Sequence, residues 1–84
     1  MQDEQIYAEL TEIFRDVLDD DKLVLRPDLT ANDVEEWDSF NHINLIVAVE
    51  QRFGIKFQTA ELEGMQNVGH LVDLIRKKLA ATGR

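Results

Sequence analysis

Apolar residues recur at intervals of three and four along much of the chain, and this spacing predicts helices. The first predicted helix covers residues 4–18, with Asp3 as its candidate N-cap. Its buried stripe would consist of Ile6, Leu10, Ile13, Phe14 and Val17. The acidic run at 19–21 ends the helix, because negative side chains oppose the dipole at a helix C-terminus.

A long connection follows over residues 19–37. A loop of this length in a small domain is usually functional or is anchored by its own side chains. The candidate anchors are Leu23, Val24, Leu25, Leu29, Val34 and Trp37. Residues 30–33 suit a single helical turn. The acidic run lacks the Gly and the closing Glu of a calcium-binding loop, which argues against that site.

The second predicted helix covers residues 39–53. Asp38 is its expected N-cap, and Gly54 before Ile55 is typical of a left-handed helix stop. The β-branched run at 45–49 would also suit a strand, but the two caps and the apolar spacing favour a helix.

Two more helices complete an all-α fold. A short helix covers residues 60–63, capped by Thr59 and stopped by Gly64, and the last covers 68–80 after Asn67 as cap. The buried stripe of the last helix would be Val68, Leu71, Val72, Ile75 and Leu79. We therefore expect one domain, 1–84, built as a bundle of three main helices and one short helix with a long first loop.

The apolar residues of the second helix fall on two faces. One face is suited to the core and is formed by Leu45, Ile46, Val49 and Phe53. The roughly opposite face is formed by Phe40, Ile43 and Val47. Either this helix is central and buried on both sides, or the second face is exposed and available to a partner.

Composition and charge narrow the function classes. A chain of 84 residues builds one small core and makes a deep, closed active site hard to form. It contains no cysteine, which excludes disulfides and suits a reducing, cytoplasmic location. The N-terminus is acidic, which argues against a targeting segment. The longest apolar run, at 45–49, is too short for membrane insertion.

The net charge of −8 is concentrated in the first half. Residues 1–38 hold 13 acidic and 3 basic side chains, whereas residues 39–84 hold 4 acidic and 6 basic ones. This distribution repels nucleic acid, which is not expected as a partner. It would attract basic patches on proteins, although solubility alone would also account for it.

Ser39 directly follows the predicted cap Asp38. Asp and Ser at a helix start are common capping residues and need no further role. The alternative is an exposed serine on a rigid element, where the helix N-terminus favours a phosphate ester on its oxygen. The residues alone leave both interpretations open.

Residues 36–57 resemble the phosphopantetheine-attachment region of acyl carrier proteins. The family motif, Asp-Ser and a large apolar residue, corresponds to Asp38, Ser39 and Phe40. The family's Glu-x-x-Phe-x-Ile and following apolar residue correspond to Glu50, Phe53, Ile55 and Phe57. The other predicted helices and the long loop also lie where the family has them.

The resemblance implies a non-catalytic, monomeric carrier with 4′-phosphopantetheine on Ser39 and an acyl group held as a thioester. A carrier-protein synthase (a phosphopantetheinyl transferase) would recognise Asp38, and acyl-loading and acyl-transfer enzymes would be further partners. The docking residues would be Phe40, Ile43, Val47, Glu35, Glu36 and Glu50. The pathway would be fatty acid, polyketide or specialised lipid biosynthesis.

The second helix departs from carriers of fatty acid synthesis, which usually have several acids there. Here Glu50 is its only acid and Arg52 offsets it. The acids precede the helix instead, at Asp33, Glu35, Glu36 and Asp38. A specialised carrier, including one for aminoacyl or peptidyl groups, is therefore an open alternative.

Two other function classes compete with the carrier. A Ser39–His42 dyad would suit a hydrolase, but the nucleophile elbow is missing, so His42 is expected at the surface or at a partner contact. His70 is expected in packing or solvent, and no metal site is expected. The second class is an unmodified helical adaptor that binds partners through the Phe40 face.

Overall fold

The computed structural model describes residues 2–83, except for the side chains of residues 82 and 83, and the regular secondary structure in this part of the chain is helical throughout. Its elements are α1 (Asp3–Val17), a single 3-10 turn (Ala31–Asp33), α2 (Ser39–Phe53), α3 (Thr59–Glu63) and α4 (Val68–Gly83). The predicted fold class, three main helices and one short helix with a long first loop, is confirmed.

The core lies where α1 packs against α2 and α4. Its fully buried side chains come from all three helices: Ile6, Leu10, Phe14, Leu45, Val49, Val68, Leu71 and Ile75. Val17 and Leu79 are half-buried at its edges. Leu18 and Ile55 are also buried, although the helical spacing did not include them, because each continues a core stripe just past a helix end.

The loop between α1 and α2 is anchored by side chains and by backbone. Leu29, Val34 and Trp37 are buried as predicted, but Val24 is 68% exposed and is not an anchor. Leu23 and Leu25 on either side of it pack against the core. The chain has no regular secondary structure here, and the Val24 side chain faces solvent between these two.

Backbone hydrogen bonds join this loop to the start of α4. The Val68 amide donates to the Leu29 carbonyl and the Gly69 amide to the Pro27 carbonyl, both at 2.9 Å. A Cβ on residue 69 would lie 3.0 Å from the Pro27 oxygen, so glycine permits this close approach. The loop that leads to Ser39 is therefore fixed to the bundle well before it reaches the site.

Two of the predicted caps are wrong by one residue. Asp3 and Thr59 are the first residues of α1 and α3, and their caps are Gln2 and Gln58. Gln58 is the cap of α3 because its amide donates a hydrogen bond to the Glu61 carboxylate at 2.8 Å, which is half of a capping box. Likewise, the Gln2 amide donates to the Gln5 side chain at 3.3 Å.

Other predicted helix ends are confirmed. Asn67 caps α4 by accepting from the His70 amide at 2.9 Å. Gly54 ends α2 with a φ of 68°, a left-handed conformation that glycine adopts without strain. The Ile55 amide then donates to the Glu50 carbonyl at 3.1 Å, the bond that closes a Schellman motif. α4 runs three residues beyond the predicted end at 80.

Exposed ion pairs connect the helices. Arg52 pairs with Glu9 and, at 3.2 Å, with Glu12, both on α1. Arg76 on α4 lies 2.8 Å from Asp3. Such solvated pairs contribute little to stability. None of the helices in residues 2–83 is long and apolar enough to cross a membrane.

Candidate functional site

Ser39 is the exposed first residue of α2, and its position is fixed from both sides. Asp38 caps the helix as predicted, with its Oδ1 accepting from the Asn41 amide at 2.8 Å. The Asn41 side chain in turn donates to the Glu36 carbonyl at 2.8 Å. These hydrogen bonds join the end of the loop to the first turn of α2, so the backbone that carries the Ser39 side chain is held in place.

Trp37 and His42 bracket this first turn. Trp37 Nε1 donates to His42 Nδ1 at 3.1 Å, and the two rings are stacked with centroids 6.2 Å apart. Trp37 also meets Phe14 of the core edge to face at 5.1 Å. His42 is therefore half-buried and bonded within the protein rather than freely exposed, and its place at a partner contact stays a prediction.

The sequence did contain a signal for this contact. Trp37 directly precedes the cap Asp38, and His42 is the fourth residue of the helix. These are the two positions of a hydrophobic staple, which sets the angle at which a chain enters a helix. Here the staple also carries a hydrogen bond.

The Ser39–His42 dyad is not assembled. His42 Nδ1 accepts from Trp37, and within residues 2–83 no hydrogen bond joins the imidazole to the Ser39 hydroxyl. His70 is exposed, and its Nδ1 accepts from the Gln66 amide at 3.0 Å. The described residues contain no group of three or more acidic or histidine side chains placed to hold a metal ion.

Burial lowers the pKa of the His42 imidazole below its ordinary value. His42 is therefore neutral at pH 7, with its proton on Nε2 because Nδ1 is an acceptor. As pH falls, His42 of the unfolded chain binds an additional proton first, because its pKa has the ordinary value of about 6.5. The stabilising contribution of neutral His42 is thus present above that pH and is lost as pH falls through the lower, folded-state pKa.

We expect acidification to break the Trp37–His42 hydrogen bond, because a protonated Nδ1 cannot accept. The chain has one tryptophan, so the single indole N–H signal in a proton–nitrogen NMR spectrum reports on this bond. It should move with a midpoint below about 6.5. His42→Phe should abolish that movement and His70→Phe should not. An indole signal that ignores pH in the wild type would contradict the assignment.

The second apolar face of α2 is exposed. Phe40, Ile43 and Val47 are 73%, 63% and 45% exposed, respectively. On the other face Leu45, Ile46 and Val49 are buried and Phe53 packs against the core. The interpretation of α2 as a central helix buried on both sides is therefore wrong. Residues 39–49 also contain no Asp, Glu, Lys or Arg, so the exposed face is apolar and uncharged.

The acidic residues predicted for docking are of two kinds. Glu35 and Glu36 are exposed in the loop just before Ser39. Glu50 is half-buried eleven residues along the helix, where its Oε2 accepts from the Phe57 amide at 2.8 Å. Glu50 therefore has a structural bond that holds the connection to α3, and its docking role stays a prediction.

One signal in the sequence was overlooked. Ser39 is the only serine among the 84 residues. Any chemistry that requires a serine hydroxyl must therefore take place at this position.

Comparisons with known proteins agree with this geometry. The family profile described as "Phosphopantetheine attachment site" matches residues 8–75. A curated relative, the acyl carrier protein of Coprothermobacter proteolyticus, is 32% identical over 94% of this chain and 96% of its own length. The meromycolate extension acyl carrier protein of Mycolicibacterium smegmatis is 30% identical over 88% of this chain and 75% of its own.

A solved structure is also similar. The solution NMR structure of a holo acyl carrier protein from Geobacter metallireducens superimposes with a TM-score of 0.85. The two sequences are 51% identical, and the match covers 89% of this chain and 86% of that one.

Proposed function

Because this chain belongs to the acyl carrier protein family, a group of carriers rather than catalysts, we propose that Ser39 is the residue to which its 4′-phosphopantetheine is attached. The observation that carries the proposal is that the only serine of the chain is exposed on the first turn of α2, inside the matched region. The family attaches its cofactor through a serine hydroxyl, and no other residue here offers one.

The residues around Ser39 fit a phosphate ester. The N-terminus of a fifteen-residue helix favours negative charge on an oxygen at its first turn. The exposed side chain leaves access for a modifying enzyme. When attached, phosphopantetheine supplies the thiol on which an acyl group is carried, a group that a chain without cysteine cannot provide.

Asp38 has two roles in this proposal. Its Oδ1 caps α2 and so holds Ser39 in place. The carboxylate is exposed next to the serine, which makes it accessible to the phosphopantetheinyl transferase that would use this protein as its substrate. We infer that the transferase recognises this negative charge.

Acyl-handling enzymes and a carrier-protein synthase are the partners that the family implies. We propose that they dock on the exposed face of Phe40, Ile43 and Val47, with Glu35 and Glu36 at its loop end. Apolar side chains that are excluded from water dominate binding energy, whereas rim charges mainly speed the encounter. The absence of charge on residues 39–49 makes apolar contact the main source of affinity.

A specialised lipid pathway is the proposal that this uncharged face supports. Its partners would need an apolar rather than a strongly basic docking surface. The similarity to a carrier named for meromycolate extension is compatible with lipid synthesis of this kind. We further propose that residues 1–84 act as one monomeric carrier domain, and its cytoplasmic location stays a prediction.

Intact-mass measurement tests the attachment. The apo protein, incubated with coenzyme A and a carrier-protein synthase, should gain the mass of one phosphopantetheine group. Tryptic fragmentation should place that group on the peptide 23–52, which contains Ser39. A modified residue elsewhere would overturn the site assignment, and an unmodified protein would support the adaptor alternative.

A further inference from the structure

An open groove of about 560 Å³ lies between α1 and α2. Its apolar floor is formed by Ile13 and Val17 on α1 and by Ala48 on α2. Ile13 is buried, whereas Val17 and Ala48 are half-buried and reachable from solvent. The volume lies in the range of ligand sites, about 300–1,000 Å³. The groove is therefore large enough to take a side chain of another protein.

The α1 rim of this groove is acidic. Glu12 and Asp16 stand on it, one helical turn apart. Arg52 lines the groove from α2, where it pairs with Glu12 at 3.2 Å and with Glu9. Three carboxylates and one guanidinium leave a net charge of −2 at this edge. Within residues 2–83 the Asp16 carboxylate forms no ion pair, so its charge is not balanced.

The stability of the fold does not account for Asp16. This exposed residue is the next to last of α1, where a negative side chain opposes the helix dipole. Unbalanced carboxylates above an apolar floor suit a lysine or an arginine. The methylene stem of such a side chain packs on apolar surface while its charged head stays with the carboxylates. The chemistry of the groove therefore selects a cationic side chain.

The groove is continuous with the exposed apolar face of α2. Gln51 lines the groove and follows Val47 by four residues, so the two side chains are neighbours on the surface of the helix. The twelve residues from Ser39 to Gln51 span about 18 Å. A standard protein interface buries about 800 Å² on each partner, which is enough to cover that distance. One partner can therefore contact Ser39, the apolar face and the groove together.

We propose that the groove between α1 and α2 takes a lysine or arginine side chain of the phosphopantetheinyl transferase that modifies this chain. The inference rests on the proposed attachment at Ser39. The apolar face of α2 supplies most of the affinity, and the acids of α1 supply the charge that residues 39–49 lack. Because the groove lies at one side of α2 only, its ion pair fixes the orientation in which the transferase binds.

Asp16→Lys and Glu4→Lys form a matched pair that tests this inference. Both residues are exposed on α1, both changes raise the net charge equally, and the two positions lie about 18 Å apart. With coenzyme A and the transferase, Asp16→Lys should raise the KM for the carrier by about threefold to tenfold. Its kcat should stay unchanged, because Asp16 does not touch the reacting hydroxyl. Glu4→Lys should change the KM by less than about twofold.

Salt and a milder variant sharpen the comparison. Added salt should reduce the difference between the two lysine variants, because it screens the repulsion in the groove. A lysine at position 16 suits the helix dipole, so Asp16→Lys should melt at the temperature of the wild type. If that variant does not fold, Asp16→Asn keeps the test valid, since it removes the charge at nearly constant shape and should raise the KM by a smaller factor.

Cross-linking locates the contact directly. The chain has no cysteine, so Gln51→Cys and Glu4→Cys can each carry a single benzophenone label, in a Ser39→Ala background that takes no arm. Illumination should join position 51 to a transferase peptide that contains lysine or arginine, and position 4 should stay unlinked. Equal KM changes in the two lysine variants, or no cross-link from position 51, would overturn this inference while modification of Ser39 still stands. A wild type that is not modified at Ser39 would overturn both.

Discussion

Ser39→Ala should gain no phosphopantetheine at all while melting at the temperature of the wild type. The serine is the only one in the chain, so no second hydroxyl of its kind can replace it. Its side chain is exposed, and the cap of α2 is supplied by Asp38 instead. An exposed change of this type alters stability by about 0.5 kcal/mol or less. Intact mass after synthase treatment and a thermal melt measure the two effects.

Asp38→Ala and Asp38→Asn complete this experiment. Alanine removes the cap and should cost about 1 kcal/mol, whereas asparagine caps as well as aspartate does and should cost nothing measurable. Both variants keep Ser39 and should still be modified. Both should be modified more slowly than the wild type, because each lacks the negative charge that we infer the transferase recognises. Full modification of Ser39→Ala, mapped to a threonine, would show that the assignment is wrong.

Leu45→Ala should destabilise the protein by about 2–5 kcal/mol, while Ile43→Ser should leave the melting curve nearly unchanged. Leu45 is 1% exposed and Ile43 is 63% exposed, although they are two residues apart on the same helix. A domain of 84 residues has a total stability of about 4–13 kcal/mol. The Leu45 change therefore removes a large part of it.

The order of the two changes should be reversed for function: Ile43→Ser, which hardly affects stability, should have the larger effect on modification. Ile43→Ser removes an apolar anchor from the proposed docking face and should slow synthase modification of Ser39 or transfer of its cargo. Phe40→Ser is a second test of the same face. Denaturant unfolding and modification rates measure the two properties on the same samples. An Ile43→Ser variant that unfolds would mean that this face is core and that the docking proposal is wrong.

Local sequence signals determined most of the helices. The 3.6-residue spacing identified the buried stripes, because a helix in a small bundle must place its apolar residues on the side that meets its neighbours. Asp38, Gly54 and Asn67 marked helix ends through short-range bonds that need only a few consecutive residues. The resemblance to the family was also visible in the sequence, because the motif at Asp38 and Ser39 and the spacing of Glu50, Phe53 and Ile55 lie within one continuous segment, residues 36–57.

Only the tertiary structure decided which of the two apolar faces of α2 is exposed. Periodicity shows that two faces exist, but the neighbour that covers one of them comes from α1, far away in sequence. The ion partners of Arg52 were missed for the same reason, because Glu9 and Glu12 approach it only after the helices pack. An open cleft that Ala31, Trp37 and Ser39 help to line likewise lies between the 3-10 turn and the first turn of α2, beside the indole that packs edge to face on Phe14. Patterns within one segment determine its helix and its caps, whereas exposure, ion pairing and cavities depend on contacts between segments.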